Sequence, residues 1–275
     1  MAPGARPVRG SELVNRTTAS GVAIAYQVTG SGEPATCFVP GMTQSIADVR
    51  PFGSGVVGSR AFLDLRAHGA SESPVIDQPD AWTYGALADD VTAVADEVGA
   101  HRGVGVSLGA GALLTCVVRD PSRWDRLVLA LPADVDELRD LDVTATGSSL
   151  ADAIESNDPI EIGRLLLLLQ PSSVRNRTLV KLWARRHAAE IGGTPVAQML
   201  RELADQTPVD AMEQLAAFEG RVLVLAQRDD PAHQVAVAER LSEAFTHAQL
   251  VVSDKPWIWS ARDRLREVVS EFLNE

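Results

Sequence analysis

Two hydrophobic periods alternate along most of the chain. Short apolar runs predict buried strands, and segments with an apolar residue at every third or fourth position predict helices. The strand-like runs cover residues 21–28, 35–39, 60–65, 103–106, 126–131, 221–226 and 249–252. Helical patterns cover residues 86–98, 107–118 and 264–273. This alternation indicates an α/β fold, with a mostly parallel central sheet flanked by helices.

Residues 134–219 interrupt the alternation. They contain only helical patterns, at residues 150–154, 160–169, 179–189 and 197–203, and the strand pattern resumes at Arg221. The sequence therefore predicts a first part of the α/β core over 1–133, a helical lid over 134–219 and a second part of the core over 220–275.

A short motif carries the strongest chemical signal. Residues 105–109 read GVSLG, with a predicted strand before Ser107 and a predicted helix after it. A serine on such a tight turn has a strained backbone, costing about 1–3 kcal/mol, and needs small residues two positions away on either side. The motif predicts a nucleophile elbow; a glycine turn with an incidental serine is the alternative.

With this elbow the chain resembles the α/β-hydrolase superfamily, in its lid-bearing esterase, lactonase and haloperoxidase-like branch. Residues 39–42 (VPGM) stand where that superfamily carries its oxyanion turn, and residues 64–71 (DLRAHGAS) are similar to its D-x-R-G-H-G-x-S stretch. Residues 227–231 (QRDDP) resemble the loop that bears its acid.

The resemblance implies roles for particular residues. Ser107 is the expected nucleophile and Asp230 the expected acid, with Asp134 as an alternative acid. The backbone N–H groups of Met42 and Leu108 are expected to form an oxyanion hole. Gly41 is expected beside the substrate. The superfamily requires no cofactor or metal ion, and none is predicted.

The resemblance fails where the histidine is expected, between the last strand and the last helix. Residues 253–264 contain no histidine, and Lys255 lies closest to the expected place. Pro40 also replaces the histidine that usually precedes the oxyanion-hole glycine. Of the five histidines only His233 falls near the catalytic edge of the sheet. It is a candidate for substrate binding, and the sequence favours a solvated residue at a helix start over a base.

Lys255 could act in one of three ways. As a neutral base it would need a pKa far below about 10.4, which burial beside Trp257 and Trp259 would favour and a neighbouring Asp230 would oppose. As a charged partner of Asp230 it would leave Ser107 without a base, yet could stabilise a phenolate or enolate. It could also point to solvent. In extended backbone the two tryptophans would share one face, either stacking on an aromatic ligand or packing under the lid.

Composition narrows the classes of molecule that this protein is expected to bind. Aspartate and glutamate number 37 against 25 lysines and arginines, a net charge of -12 that argues against nucleic acid. Cys37 and Cys116 lie in apolar runs and fit buried thiols in a cytoplasmic protein. No apolar run is long enough to span a membrane, and residues 1–13 lack the apolar region of a secretory signal. The arginine, alanine and valine usage suggests an actinobacterium. A homodimer stays open.

Three functions remain as hypotheses from the sequence. The first is a non-hydrolytic enzyme that performs cyclisation, carbon–carbon bond formation or elimination on a bulky apolar small molecule in natural-product biosynthesis. The second is a hydrolase of an ester, thioester or lactone, with a base recruited from His233 or Lys255. The third is a pseudoenzyme that only binds a ligand or partner.

Overall fold

The computed structural model describes residues 14–75, 78, 80–138 and 141–275, so the N-terminal segment considered above lies outside the described residues. Eight strands in this part of the chain form one sheet in the order β1-β2-β4-β3-β5-β6-β7-β8. They are β1 (Asn15–Ala19), β2 (Val22–Thr29), β3 (Ala35–Val39), β4 (Ser59–Leu63), β5 (Arg102–Val106), β6 (Arg126–Ala130), β7 (Arg221–Gln227) and β8 (Ala248–Ser253). β2 pairs antiparallel with β1 and β4, and the other pairs are parallel.

Helices connect most of the strands, as the sequence predicts. They are α1 (Ile46–Val49), α2 (Tyr84–Val98), α3 (Leu108–Arg119), α4 (Leu141–Glu155), α5 (Pro159–Leu168), α6 (Thr178–Ile191), α7 (Val196–Glu202), α8 (Val235–Ala244), α9 (Trp257–Ser260) and α10 (Arg262–Asn274). Short 3-10 helices cover Arg50–Gly53 and Met212–Ala217. None of the helices in the described ranges is both long and apolar enough to cross a bilayer.

Two apolar layers cover the faces of the sheet. Along β6, Leu127 and Leu129 pack into the layer that includes α2, α3 and α8, whereas Val128 and Ala130 pack into the layer that includes α10. This alternation follows from the two-residue period of a strand. Because β3 and β5 to β8 run parallel, the loops that follow them meet at one edge of the sheet, where sites in such folds lie.

Four helices, α4 to α7, are inserted between β6 and β7, within the region where the sequence predicts only helices. We call them the inserted helices. They share an apolar cluster of their own, with Leu150, Ile162 and Ala184 in its centre. Met42 and Ala67 of the core pack against that cluster. The inserted helices therefore rest on the edge of the sheet where the loops that follow the parallel strands meet, and their action as a lid stays a prediction.

Candidate active site

Ser107 lies on a sharp turn between β5 and α3, with φ 51° and ψ -111°. The turn depends on glycine at both flanking positions. A Cβ on Gly105 would overlap the backbone of Gly109, and a Cβ on Gly109 would lie 2.5 Å from the carbonyl oxygen of Val39. Because only glycine fits there, the start of α3 presses directly against the turn that follows β3. The elbow thereby brings Ser107 beside the predicted oxyanion turn.

His233 contacts both of the other candidate residues. Its Nε2 lies 2.9 Å from Ser107 Oγ, and its Nδ1 lies 3.0 Å from Asp230 Oδ2. With Asp230 ionised, Nδ1 carries the hydrogen and donates to the carboxylate, which leaves Nε2 to accept the hydroxyl hydrogen of Ser107. Serine, histidine and aspartate thus have the arrangement that activates a nucleophile.

The solvated position that the sequence favours for His233 is contradicted by its contact with Ser107. His233 lies between β7 and α8, three residues after Asp230, rather than after β8. Asp230 Oδ1 accepts the N–H groups of Ala232 (2.9 Å) and His233 (3.1 Å). This aspartate-capped turn folds the chain back on itself, so the imidazole returns over the carboxylate. The three-residue spacing between Asp230 and His233 does not reveal this turn, so the sequence alone favours a solvated position for the histidine.

Asp230 is held in its ionised form. Burial by itself raises the pKa of this carboxyl, but the charge and hydrogen bond of His233 and the bonds from Gln227 and Ala232 outweigh it and lower the pKa. Gln227 Nε2 donates to Asp230 Oδ2 at 2.6 Å, while Gln227 Oε1 accepts the N–H of Trp257 at 2.8 Å. The loop expected to carry the histidine therefore supports the acid through Gln227.

Lys255 is exposed, and the structure does not bring it to the other candidates. Its N–H donates to Ser253 Oγ, and its carbonyl accepts from the same hydroxyl. Among the described residues it forms no ion pair with Asp230, whose carboxylate is bonded to His233 instead. A catalytic part for Lys255 thus has no geometric support, because its side chain extends into solvent.

The two tryptophans do not share a face. They lie on the short helix α9, where positions two apart are turned by about 200°. Trp257 is in the core, and its Nε1 donates to the carbonyl of Ala226 at 2.8 Å, so it cannot stack on a ligand. Trp259 lines the cavity; its Nε1 donates to Gln170 Oε1 at 2.9 Å and its ring meets Trp183 edge-on at 5.6 Å. Only Trp259 keeps the substrate-binding position predicted for both.

The turn after β3 is fixed from two sides. The Gly41 N–H donates to Gln44 Oε1 at 2.8 Å, and the Thr43 N–H donates to His68 Nε2 at 3.0 Å. His68 is buried, which lowers the pKa of its imidazole below the usual range and keeps it neutral. Its Nδ1 then donates to the carbonyl of Arg66, so Nε2 is free to accept.

Between these two anchors lies Met42. Neither its N–H nor that of Leu108, at the first position of α3, has an acceptor among the described residues. Unsatisfied N–H groups at such a helix start are able to bind a developing negative charge. That the N–H groups of Met42 and Leu108 form the oxyanion hole stays a prediction.

A cavity of about 730 Å³ opens over Ser107. Gly41, His233 and Trp259, three of the four residues predicted to bind substrate, line it, and so does Met42. Sequence reasoning missed the leucines that the inserted helices and the segments joining them contribute. These are Leu150, Leu166, Leu169, Leu179, Leu182 and Leu200. Their helical spacing is visible in the sequence, but it does not indicate which face of each helix covers Ser107.

Asp134, the alternative acid, lies elsewhere. It is buried and accepts a hydrogen bond from the Tyr84 hydroxyl at 3.0 Å. The imidazole of His233 contacts Asp230 instead. The structure thus favours Asp230 as the partner of the histidine.

Solved structures give the same architecture. An esterase from Exiguobacterium antarcticum matches with a TM-score of 0.81 at 16% identity, over 96% of this chain and 100% of that one. A meta-cleavage product hydrolase from Pseudomonas fluorescens matches with a TM-score of 0.78 at 20% identity, over 96% and 98%. An enol-lactonase from Burkholderia xenovorans matches with a TM-score of 0.78 at 18% identity, over 95% and 100%. The chain therefore has the α/β-hydrolase fold.

Sequence comparison gives no such match. No protein-family model matches the chain, and no curated protein matches it.

Proposed function

We propose that this protein is a serine hydrolase that cleaves an ester, thioester or lactone of a small molecule. The observation that carries the proposal is the 2.9 Å contact between Ser107 Oγ and His233 Nε2, with Asp230 at 3.0 Å on the other side of the imidazole. Ser107 and His233 line a cavity, and the volume of this cavity suits a small-molecule ligand.

In the proposed reaction Ser107 Oγ attacks the carbonyl carbon while His233 Nε2 takes the hydroxyl proton. The N–H groups of Met42 and Leu108 stabilise the negative oxygen of the tetrahedral intermediate. When the intermediate collapses, the bond to the leaving group breaks and His233 returns the proton to it. A water molecule, deprotonated by His233, then releases the acid and regenerates Ser107. Side chains, backbone and water perform every step.

The non-hydrolytic reaction in natural-product biosynthesis was expected because the chain seemed to lack a base. His233 beside Ser107 removes that motive, and the esterase, hydrolase and lactonase descriptions of the similar structures agree better with hydrolysis. A pseudoenzyme is disfavoured for the same reason. Cytoplasmic location and a homodimer stay predictions from the sequence.

A fluorophosphonate probe tests the proposal directly, because it forms a covalent bond with an activated serine. We expect mass spectrometry to find the probe on Ser107 within minutes, and p-nitrophenyl esters to be turned over. Ser107→Ala is expected to abolish labelling, and His233→Ala to slow it by a factor of about 100 or more. An unlabelled Ser107 in folded protein, together with no ester turnover, would refute the proposed function.

A further inference from the structure

One of the segments that line the cavity over Ser107 is rich in positive charge. Residues 162–189 contain five arginines and one lysine but no aspartate or glutamate, although acidic residues outnumber basic ones by 37 to 25 in the whole chain. This segment covers most of α5, all but the end of α6 and the loop between them. Several of its residues, Leu182 and Arg186 among them, line the cavity.

Basic side chains outside this segment are mostly ion-paired in the described part of the chain. The paired arginines there include Arg16, Arg66, Arg119, Arg123, Arg126, Arg201, Arg221, Arg228, Arg240 and Arg264. Within the segment Arg164 pairs with Glu161, but Arg175, Arg177, Lys181 and Arg185 have no ion pair with any described residue. Arg262, which lines the cavity, also has none.

Arg262 has the geometry of an anion receptor. It lines the cavity at the start of α10, and its Nε donates to the carbonyl of Ile258 at 2.6 Å. That bond fixes the guanidinium, while its two terminal nitrogens have no partner among the described residues. A guanidinium with free terminal nitrogens binds an oxyanion through charge-assisted bonds.

Two further arginines extend the positive charge around the same opening. Arg177 Nη1 donates to Ser260 Oγ at 2.8 Å, two residues before Arg262 in the chain. Arg186 lines the cavity and is only loosely paired, 3.3 Å from Glu190 and 3.7 Å from Asp48.

The acids that line the cavity are Asp48 and Asp230, and each has hydrogen-bonding partners of its own. Asp230 is bonded to His233, and Asp48 accepts a hydrogen bond from Trp183 and contacts His187 at 3.2 Å. Neither carboxylate pairs with Arg262. The terminal nitrogens of Arg262 are therefore available to an anion that enters the cavity.

We propose that the substrate carries an oxyanion, a carboxylate or a phosphate, on the part remote from the scissile bond, and that Arg262 receives it with Arg177 and Arg186 beside it. The inference rests on the proposed function, since it assigns the substrate class of the Ser107 site. The leucines between Ser107 and the mouth then contact an apolar middle section of the substrate.

A matched pair of esters tests the inference. The mono-4-nitrophenyl ester of adipic acid has a free carboxylate, and the methyl 4-nitrophenyl diester of the same acid has none. We expect kcat/KM at low ionic strength to be about tenfold higher for the anionic ester. The advantage should shrink when salt is raised toward 1 M, because the Debye length falls to about 3 Å.

Two arginine variants test which residue produces the preference for the anionic ester. Arg262→Gln is expected to lower kcat/KM for the anionic ester about five- to tenfold relative to its effect on the neutral diester, so that most of the preference for the anion is lost. Arg264→Gln is the control, because Arg264 lies on the same helix but pairs with Glu267 at 2.7 Å. The Arg264→Gln variant should leave kcat/KM unchanged for both esters.

Inhibition distinguishes the two oxyanions. At constant ionic strength, succinate competing more strongly than inorganic phosphate would support a carboxylate site, and the reverse order would support a phosphate site. Equal kcat/KM for both esters, unaffected by salt and by Arg262→Gln, would overturn the inference while the proposed hydrolase stands. Failure of the proposed function looks different, because then neither ester is turned over and Ser107 is not labelled.

Discussion

His233 and Asp230 lie three residues apart on one loop, and this loop alone supplies both partners of Ser107. The aspartate contributes twice: Oδ1 accepts backbone N–H groups that shape the loop, and Oδ2 accepts from the imidazole. A change to this carboxylate therefore affects both the conformation of the loop and the orientation of the histidine.

The first prediction separates His233 from Lys255. His233→Ala is expected to lower kcat/KM for p-nitrophenyl esters by about 10²- to 10⁴-fold, because Ser107 loses its base. The double variant with Ser107→Ala should be no worse than Ser107→Ala alone, since the two side chains act as one unit. Lys255→Ala, the exposed control, should stay within about twofold of the wild type. A large loss in Lys255→Ala instead would restore the lysine hypothesis.

A second prediction concerns Gln227, which bonds to both Asp230 and Trp257. Gln227→Glu keeps an acceptor for the Trp257 N–H but places a like charge against Asp230, which raises the pKa of that carboxyl. Asp230 must be ionised to orient His233. The acidic limb of the pH–kcat/KM profile should therefore move to higher pH.

The matched control is Gln249→Glu, on the exposed side of β8. It adds the same charge away from the site and should leave the profile in place. Coincident profiles for Gln227→Glu and the wild type would show that Gln227 does not act on the acid.

At the scale of secondary-structure elements, the contact between α3 and the turn after β3 decides the site. It exists because Gly109 has no side chain to separate them. The same contact brings the turn that contains Met42 against the start of α3, where Leu108 lies. Close packing at one glycine thus serves both the fold and the proposed oxyanion hole.

Gly109→Ala is therefore expected to cost about 1–3 kcal/mol of unfolding free energy and to lower kcat, since the added Cβ would lie 2.5 Å from the Val39 carbonyl oxygen. Gly147→Ala on α4 is the comparison, because a Cβ there meets nothing within 4 Å. It should raise stability by about 0.5–1 kcal/mol. Urea unfolding and ester turnover measure both. Equal stability of the two variants would contradict the steric argument.

At the scale of the whole molecule, α6 bridges the site from one side to the other. Near its start, Arg177 bonds to Ser260 at the end of α9, and Ser172 in the preceding loop donates to Asp229 on the acid loop. Further along, Trp183 and His187 bond to Asp48 on α1. The inserted helices are thereby joined to both the acid side and the oxyanion side of the core.

Asp48→Asn tests the second of these connections. Burial alone raises the pKa of Asp48, but His187, the Ser45 backbone and Trp183 together lower it. A pKa that is lower in the folded chain stabilises the fold above the unfolded value of about 3.9, and this stabilisation is lost as the pH falls through the folded pKa. The variant should thus lose about 1–3 kcal/mol at pH 7 and progressively less below about pH 4.

Unfolding followed by tryptophan fluorescence and by circular dichroism measures the change. A stability difference that does not vary with pH would show that the Asp48 charge is not its source.

The sequence by itself determined the fold class and pointed to two members of the candidate site. Strand and helix periods, the GVSLG turn and the aspartate before Pro231 are local patterns, because each depends on residues within a few positions of one another. The four helices between β6 and β7 were predicted for the same reason. The first strand, β1, was missed because its sequence, NRTTA, is mostly polar, and it pairs only as an edge strand.

Only the tertiary structure decided which histidine meets Ser107. His233 and Ser107 are 126 residues apart, and the loop that joins His233 to Asp230 turns back through backbone hydrogen bonds that leave no periodic pattern. The tertiary structure also decided the directions of Trp257 and Trp259, because these depend on α9 being helical. It likewise decided which leucines lie over the cavity. Local patterns specify elements, whereas a site made from several loops depends on how those elements pack, and packing is settled only when the chain is folded.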